Sequence, residues 1–170
     1  MNDDEYMEIA YQEALKALEN DDVPIGCIIV KDNKIIARSY NQREYLNQTY
    51  GHAEMLAIEQ ACKKVGRWRL DECTLYTTLE PCLMCSGAII QSHIKRVVYG
   101  ASDTRWMSLD KLIHLPDPKL NYIPMIQSDI LKDKCSKLIK DYFKKKRQKI
   151  WYSYLFFVYN VGDRSWYYVI

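Results

Sequence analysis

Residues 73–91 read CTLYTTLEPCLMCSGAIIQ, a stretch that joins a strand pattern to a helix pattern. The first seven residues form a β-prone run that predicts a strand, and the apolar residues after Pro81 predict a helix. Proline suits the first turn of a helix, where the backbone needs no N–H donor. Cys82 and Cys85 lie at the start of this helix. Such a pair is compatible with a disulfide, a redox couple or two ligands of a metal site.

The segments on either side of this stretch alternate between helix and strand patterns. Two β-prone runs separated by the turn KDN (31–33) also predict a hairpin. The predicted helices are 5–19, 53–64, 82–91, 108–114 and 129–149, and the predicted strands are 25–30, 34–40, 73–79, 96–101 and 123–128. This order indicates an α/β protein, a three-layer α-β-α sandwich around a central mixed five-stranded sheet.

The bulk composition indicates one globular domain and argues against a secreted or membrane protein. The chain has 170 residues, of which 48% are apolar and 27% charged, with a net charge of only +2. Its N-terminus, MNDDEYMEIA, lacks the basic-then-apolar pattern of a secretory signal. No run approaches the roughly 18 apolar residues of a membrane span. We therefore expect a cytoplasmic protein with reduced thiols, which weakens the disulfide interpretation of Cys82 and Cys85.

A second motif, GHAEM at 51–55, favours a metal site. His52 and Glu54 begin another predicted helix, and if the two helix starts are neighbours, His52 meets Cys82 and Cys85. One imidazole and two thiolates are a good zinc set, and three protein ligands leave a fourth position open for water. Glu54, two residues beyond His52, is placed to act as a proton shuttle. A structural zinc or a redox pair with a chance histidine nearby remains the alternative.

The combination of H-x-E with P-C-x-x-C resembles the signature of zinc-dependent nucleobase deaminases, the cytidine and deoxycytidylate deaminase superfamily. Five further matches over residues 5–149 resemble the bacterial-type tRNA-specific adenosine deaminases. They are DDVPIGCIIV (21–30), Asn41, GHAEMLAI (51–58), LYTTLEPCLMCSGAII (75–90) and RVVYGASD (96–103). The resemblance implies hydrolytic deamination of the wobble adenosine of a tRNA to inosine, with one zinc ion per subunit. It also implies a homodimer that binds the anticodon loop.

The same resemblance implies roles for individual residues. Asn41 would hydrogen-bond the flipped base, and Val23 and Leu79 would form apolar walls of its pocket. The backbone N–H groups of Ala53 and Cys82 would lie near the zinc-bound oxygen. Asp103 would approach the substrate backbone. Glu54 would carry protons between water, the base and the departing amine.

The segment after Asp103 departs from the family pattern. Residues 104–107 read TRWM where a longer glycine-containing segment is expected before Ser108. Trp106 is compatible with stacking on a base and with packing in an interface. The departure places the fine RNA contacts of this segment in question.

The last predicted helix ends in a basic run, KKKRQK at 144–149. Its clustered cations, Lys144, Lys145, Lys146 and Arg147, are candidates for contact with an RNA backbone, with an affinity that falls as salt rises. The alternative is a solvated helix end, where the helix dipole favours cations.

Residues 151–170, WYSYLFFVYNVGDRSWYYVI, match nothing in the family pattern, and nine of these residues are aromatic. The abrupt change divides the chain into a deaminase domain at 1–150 and an aromatic-rich extension at 151–170. The extension is compatible with an added strand pair, an oligomer contact or non-native sequence. Because exposed aromatic, β-prone surface aggregates, we expect it to be at least partly buried.

Two other functions remain open from the sequence. The first is zinc-dependent deamination of a free base or nucleotide such as guanine, cytosine or deoxycytidylate. The second is a non-catalytic zinc-bound RNA-binding subunit, although Glu54 argues against it because an inactive protein would not need the proton shuttle.

Overall fold

The computed structural model describes residues 1–103, 107–116 and 119–160, with side chains described as far as residue 149. The helices are α1 (Asp3–Ala17), α2 (Arg43–Leu46), α3 (Ala53–Val65), α4 (Leu83–Gln91), α5 (Leu109–Ile113) and α6 (Lys132–Asn160), and a short 3-10 helix spans Leu18–Asn20. The strands are β1 (Gly26–Lys31), β2 (Lys34–Tyr40), β3 (Cys73–Leu79), β4 (Arg96–Ala101) and β5 (Met125–Gln127).

The five strands form one mixed sheet in the order β2-β1-β3-β4-β5. Strand β1 is antiparallel to both β2 and β3, whereas β3, β4 and β5 are parallel. The β1–β2 connection is tight because Asp32 and Asn33 both adopt positive φ angles, 48° and 58°, as a two-residue hairpin turn of the favoured handedness requires. The predicted mixed five-stranded sheet is confirmed.

Helices cover both faces of the sheet and produce three layers. Helices α1 and α6 pack on one face, with Met7, Ile28 and Val98 in the core beneath them. Helices α3 and α4 cover the other face, over Ile29, Leu75 and Val97. The predicted three-layer α-β-α sandwich is therefore confirmed.

Gly26 allows α1 to lie directly against β1. A Cβ atom added at Gly26 would lie 2.0 Å from the carbonyl oxygen of Ala10 and 2.4 Å from the backbone nitrogen of Ala14. Any larger residue would therefore force α1 away from the sheet. This contact fixes the start of β1, and with it the loop that enters the strand.

The strand directions bring the predicted site residues to one edge of the sheet. Because β2 and β3 both run antiparallel to β1, they end at the same edge as β4. Asn41 follows β2, Cys82 follows β3 and Asp103 follows β4, while Val23 precedes β1 at this same edge. The fold thus gathers four distant sequence segments into one region.

Strand β5, at Met125–Gln127, is shorter than the predicted 123–128, and two helices show the largest differences from the sequence-based expectation. The short helix α2 was not predicted, because its four residues are too few for a periodic pattern. Helix α6 continues to Asn160 instead of ending at 149, so its last turns occupy the first half of the aromatic extension. A strand pair in 151–160 is therefore not what the backbone shows, and the expected burial concerns side chains outside the described part. Among the described helices, none is long and apolar enough to cross a membrane.

A charged contact ties the start of the chain to the central strands. Asp3, in the first turn of α1, accepts hydrogen bonds from Arg96 Nη1 at 2.8 Å, Arg96 Nη2 at 2.6 Å and Tyr76 Oη at 2.8 Å. The hydrogen bond from Arg96 lowers the pKa of Asp3. A carboxyl group whose folded-state pKa is lowered stabilises the fold above its ordinary pKa, and this contribution disappears as acid protonates it.

We predict that Asp3→Asn lowers the free energy of unfolding by about 1–2 kcal/mol at pH 7. Chemical denaturation of both proteins between pH 2 and pH 7 measures the difference. The difference in free energy of unfolding should be largest at neutral pH and should disappear in acid, with a midpoint below the pKa of an ordinary aspartate. Asp4→Asn removes the same charge from the same helical turn and should have little effect. An equal loss in both variants would mean that helix-dipole effects, and not the contact with Arg96, account for the stability.

Candidate active site

The N-termini of two helices position the predicted metal ligands. His52 is the residue immediately before α3, with an extended backbone (φ −75°, ψ 146°). Cys82 holds the same place before α4, with φ −69° and ψ 172°. Cys85 lies one turn into α4 and is fully buried. Because α3 and α4 pack side by side, the three side chains converge as predicted.

The spacing of the three ligand atoms matches a tetrahedral zinc site. His52 Nδ1 lies 3.6 Å from Cys82 Sγ and 3.5 Å from Cys85 Sγ, and the two sulfur atoms are 3.7 Å apart. Zinc bonds of about 2.3 Å to sulfur and about 2.0–2.1 Å to nitrogen, at tetrahedral angles, place two sulfurs about 3.8 Å apart and sulfur and nitrogen about 3.5–3.6 Å apart. Within the described part of the chain, this is the one His/Cys/Asp/Glu group arranged to hold a metal ion. The residues therefore fit zinc.

The charge of the two thiols also suits a cation. Contact with Cys85 and, to a smaller degree, with His52 lowers the pKa of the Cys82 thiol to about 4, against the opposing effect of burial. The pKa of Cys85 is raised, because the neighbouring Cys82 thiolate and burial both oppose a second charge. Contact with Cys82 also raises the pKa of His52. A bound cation would relieve the repulsion between two thiolates and draw the second proton from the pair.

Glu54 lies in the first turn of α3 beside these ligands, and only 4% of it is exposed. Burial raises the pKa of its carboxyl to about 7, and the nearby Cys82 adds to the shift. A carboxyl group that titrates near neutrality can both accept and return a proton at physiological pH. The position and environment of Glu54 support its predicted role as the shuttle.

Asn41 and Ala53 are both buried, one directly after β2 and the other at the start of α3. Asn41 is buried, and its backbone N–H donates to the carbonyl of Ile25 at 2.8 Å. Ala53 is fully buried as the first residue of α3, and its carbonyl accepts a hydrogen bond from Ser39 Oγ at 2.5 Å. Val23 is half-buried in the loop before β1. The predicted approach of the Ala53 and Cys82 N–H groups to a zinc-bound oxygen stays a prediction.

Leu79 and Asp103 line a surface crevice of about 360 Å³ between the end of β4 and helix α6. The helix contributes both apolar and cationic side chains to it, among them Lys140, Phe143 and Arg147. Leu79, which lines the crevice, precedes the metal ligand Cys82 by only three residues in the sequence. Leu79 faces this crevice and the core beneath α6.

The four predicted RNA-binding cations of α6 have different surroundings. Arg147 lines the crevice, while Lys144 and Lys145 are exposed. Lys146 is engaged by the protein, because its ammonium lies 3.1 Å from Asp21 Oδ2 and donates to Tyr142 Oη at 3.2 Å. The structure therefore favours Arg147 over Lys146 as an RNA contact. Trp106 and residues 104–105 lie outside the described residues.

Three positions near the site, Glu80, Asp22 and Lys140, were not identified by the sequence reasoning. Glu80 is buried and accepts backbone hydrogen bonds from Asp103 at 3.0 Å and Asp110 at 3.1 Å. It thereby fastens the loop after β4 to the strand that leads into the metal ligands. Glu80 and Asp22 stand inside the matching motifs, TLEPC and DDVPIG, and that was the available signal.

Residues 1–147 match the family model of the MafB19-like deaminases. The tRNA-specific adenosine deaminase of Streptococcus pyogenes serotype M1 is 42% identical over 145 residues, which cover 85% of this chain and 85% of the relative. The enzyme of that name from Bacillus subtilis (strain 168) is 41% identical over 148 residues, with coverages of 86% and 92%. The chain belongs to the tRNA-specific adenosine deaminase family. This membership confirms the resemblance inferred from the motifs.

The fold of this chain also matches solved structures of deaminases. A structure from work on A-to-I editing by tRNA:A34 deaminases matches with a TM-score of 0.74 and 37% identity, and covers 79% of this chain and 98% of its own. Guanine deaminase from Bacillus subtilis matches with a TM-score of 0.59 and 36% identity, with coverages of 75% and 85%. The cytidine-deaminase-like fold is therefore shared by enzymes whose names give different substrates.

We predict that Glu54→Gln abolishes deamination but leaves zinc in place. Removing a proton shuttle that acts in more than one step should lower kcat by at least about 10³-fold. Elemental analysis of the purified variant should give one zinc per chain, as for the wild type, because Glu54 is not among the three ligands. Cys85→Ser is the matched control and should lose zinc. Loss of zinc from Glu54→Gln would show that Glu54 ligates the metal.

Proposed function

We propose that the protein hydrolyses adenosine to inosine at the wobble position of a tRNA anticodon. The observation that carries this proposal is the tetrahedral spacing of His52, Cys82 and Cys85, with a buried Glu54 of near-neutral pKa beside them. Membership of the tRNA-specific adenosine deaminases supplies the substrate class. The relatives cover most of the chain, so the inference applies to nearly all of the described fold.

The reaction adds water at C6 of adenine and releases ammonia. Zinc held by the three ligands would supply an activated water molecule as nucleophile. Glu54 accepts a proton from the attacking water and donates it to the ring nitrogen beside C6. In the second half, Glu54 takes the remaining proton from the new C6 hydroxyl and gives it to the amine, the C6–N bond breaks as ammonia leaves, and the C6 carbonyl of inosine remains. Burial of Glu54 suits both directions of transfer, since it keeps the two protonation states close in energy.

The base has to leave its stack to reach these groups, at a cost of roughly a few kcal/mol that a flexible anticodon loop keeps low. Asn41, buried at the end of β2, is placed to hydrogen-bond the flipped base. Val23 supplies an apolar wall from the loop before β1. These assignments rest on position and on the family resemblance.

The crevice beside Leu79 is the region we assign to RNA flanking the flipped base. Asp103 lies at its β4 end, and Lys140 and Arg147 lie about two turns apart on the same face of α6. Cations in this place attract phosphate, and an aromatic side chain, Phe143, offers a surface for stacking. Lys144 and Lys145 extend the positive charge along the exposed side of the helix.

The proposal is tested by supplying an anticodon stem–loop RNA with adenosine at the wobble position. Free adenosine, guanine, cytidine and deoxycytidylate serve as parallel substrates, with Glu54→Gln as the inactive control. We expect inosine in the RNA and no turnover of the free compounds. Turnover of guanine alone would favour deamination of a free base, the alternative function that the likeness to guanine deaminase supports.

We predict that Arg147→Ala weakens RNA binding and lowers its dependence on salt. Loss of one phosphate contact should reduce the slope of log K against log salt by about 0.7 for a single-stranded site. Binding of the stem–loop measured by fluorescence anisotropy at several salt concentrations gives this slope. Arg67→Ala, which removes an equal charge beyond the end of α3, is the matched control. Equal slopes in the two variants would contradict the assignment of the crevice.

We also propose that the protein forms a homodimer through the apolar rim of the site. Exposed apolar side chains occur in the same segments as the metal ligands. They are Tyr45, Leu46 and Tyr50 before His52, Leu83 between the two cysteines, and Met107 next to Ser108. Ser108 pairs with Cys82 through a backbone bridge. A partner covering this rim would remove these apolar side chains from water and border the base pocket.

Light scattering after size-exclusion chromatography should accordingly give twice the mass of one chain. Tyr45→Glu, which puts a charge in the centre of the proposed contact, should shift the protein toward the monomer. Trp68→Glu is the control, because Trp68 is equally exposed but lies at the other end of α3. A wild-type monomer would refute the interface.

The proposed function also bears on the limits of the deaminase domain and on the location of the protein in the cell. We assign deaminase activity to residues 1–150, and the family match to residues 1–147 supports that limit. Residues 151–170 form an extension whose helical first half continues α6. A cytoplasmic location follows from the proposed tRNA substrate.

A further inference from the structure

Asp22 is a carboxylate with no exposed surface at all. It stands in the loop between α1 and β1, and it has taken no part so far in the chemistry of the site. Its Oδ1 accepts a hydrogen bond from Asn41 Nδ2 at 2.9 Å. Its Oδ2 accepts from the backbone nitrogens of Glu44 and Tyr45, each at 3.1 Å. One buried side chain therefore joins the base-reading residue to the first turn of α2.

The two polar atoms of the Asn41 side-chain amide have different surroundings. Its backbone is fixed to Ile25, and its side-chain NH₂ points at Asp22. Its Oδ1 finds no hydrogen-bond partner within the described part of the chain, although only 4% of the residue is exposed. An amide oxygen without a protein partner is available to a ligand.

We propose that Asp22 is the positioning residue for Asn41 and sets which atom of its amide faces the base. An ionised carboxylate accepts hydrogen bonds and donates none. The NH₂ group of Asn41 must therefore turn toward Asp22, and Oδ1 must turn away from it. The site thus presents an acceptor, together with the second N–H of the same amide, to the edge of the substrate base. The inference rests on the proposed function, since it concerns how that site reads its substrate.

The loop that carries Asp22 is held from behind by helix α6. The backbone carbonyl of Asp21 accepts hydrogen bonds from Tyr142 Oη at 2.7 Å and from Lys146 Nζ at 3.2 Å. Asp21 itself has the left-handed conformation, with φ 54°, and the Asp22 N–H donates to Ala17 at 3.0 Å. These contacts fix the backbone on both sides of the Asp22 side chain, so its carboxylate has a defined direction.

Asp22→Asn distinguishes this role from simple burial. An asparagine has one acceptor oxygen, whereas Asp22 faces donors on two sides. The new NH₂ group must therefore oppose either Asn41 or the N–H groups that begin α2. The Asn41 amide can turn over to accept from the new NH₂ group, whereas the backbone N–H groups of Glu44 and Tyr45 can only donate. We therefore expect Asp22→Asn to reverse the Asn41 amide while changing the side-chain volume very little.

The test is a double-mutant cycle on kcat/KM with the stem–loop RNA. Asp22→Asn should lower kcat/KM on the order of tenfold or more in the wild-type background. In the Asn41→Ala background it should have almost no further effect, because the group that it positions is gone. Effects that multiply across the two positions would overturn the proposal and leave Asp22 as a cap of α2. Unchanged kcat/KM in Asp22→Asn would overturn it as well.

Glu13→Gln is the control for loss of a buried carboxylate. Glu13 is 5% exposed and pairs with Lys16 and Arg38, and none of these three residues belongs to the candidate site. It should lower the melting temperature and leave kcat/KM unchanged. A fall in kcat/KM like that of Asp22→Asn would show that the assay reports general destabilisation, and the proposal would fail.

A measurement without substrate separates this inference from the proposed function. The side-chain NH₂ of Asn41 is assigned in a ¹⁵N NMR spectrum by its loss in Asn41→Ala. Its two hydrogens should give resolved, exchange-protected signals in the wild type, and these should shift and lose protection in Asp22→Asn. If the wild-type protein shows these signals but does not deaminate the stem–loop RNA, the proposed substrate is refuted and the positioning role stands. Signals that are identical in the two proteins would refute the role, whatever the substrate.

Discussion

The meeting of two helix N-termini at one edge of the sheet is the constraint on which the site depends. His52 and Cys82 are each the residue that precedes a helix, and Cys85 follows one turn later. Their separations are set by how α3 and α4 pack on the sheet, and not by flexible loops. Helix N-termini also favour negative charge, which assists the Cys82 thiolate before α4 and an ionised Glu54 in the first turn of α3. The same packing therefore fixes both the geometry and the charge of the centre.

The sequence was sufficient for the parts of the molecule that depend on local pattern. Three strands, β2, β3 and β4, have the predicted bounds, because each is a short β-prone run between clear turn or helix signals. The metal ligands and Glu54 were identified because two spaced motifs each began a predicted helix. The five-stranded sheet followed from the alternation of elements.

The remaining features depend on contacts between distant segments, which a single sequence does not display. Nothing in the pattern of KKKRQK distinguishes Lys146, which pairs with Asp21, from Arg147, which lines the crevice. The roles of Asp22 and Glu80 depend on backbone donors about twenty to thirty residues away along the chain. Helix α2 is too short to leave a periodic trace. The length of α6 was missed because the aromatic composition after Trp151 resembles strands more than helix.

The single-edge arrangement of the site has an evolutionary consequence. The metal ligands and Glu54 belong to the ends of packed helices, whereas the candidate base and backbone contacts lie in the loops before β1, after β2 and after β4. Those loops can change length and composition without moving the zinc ligands. One scaffold can therefore acquire a new substrate by drift in its loops while its hydrolytic chemistry is inherited intact. Enzymes named for guanine and for tRNA adenosine on this shared fold are what such a division of labour would produce.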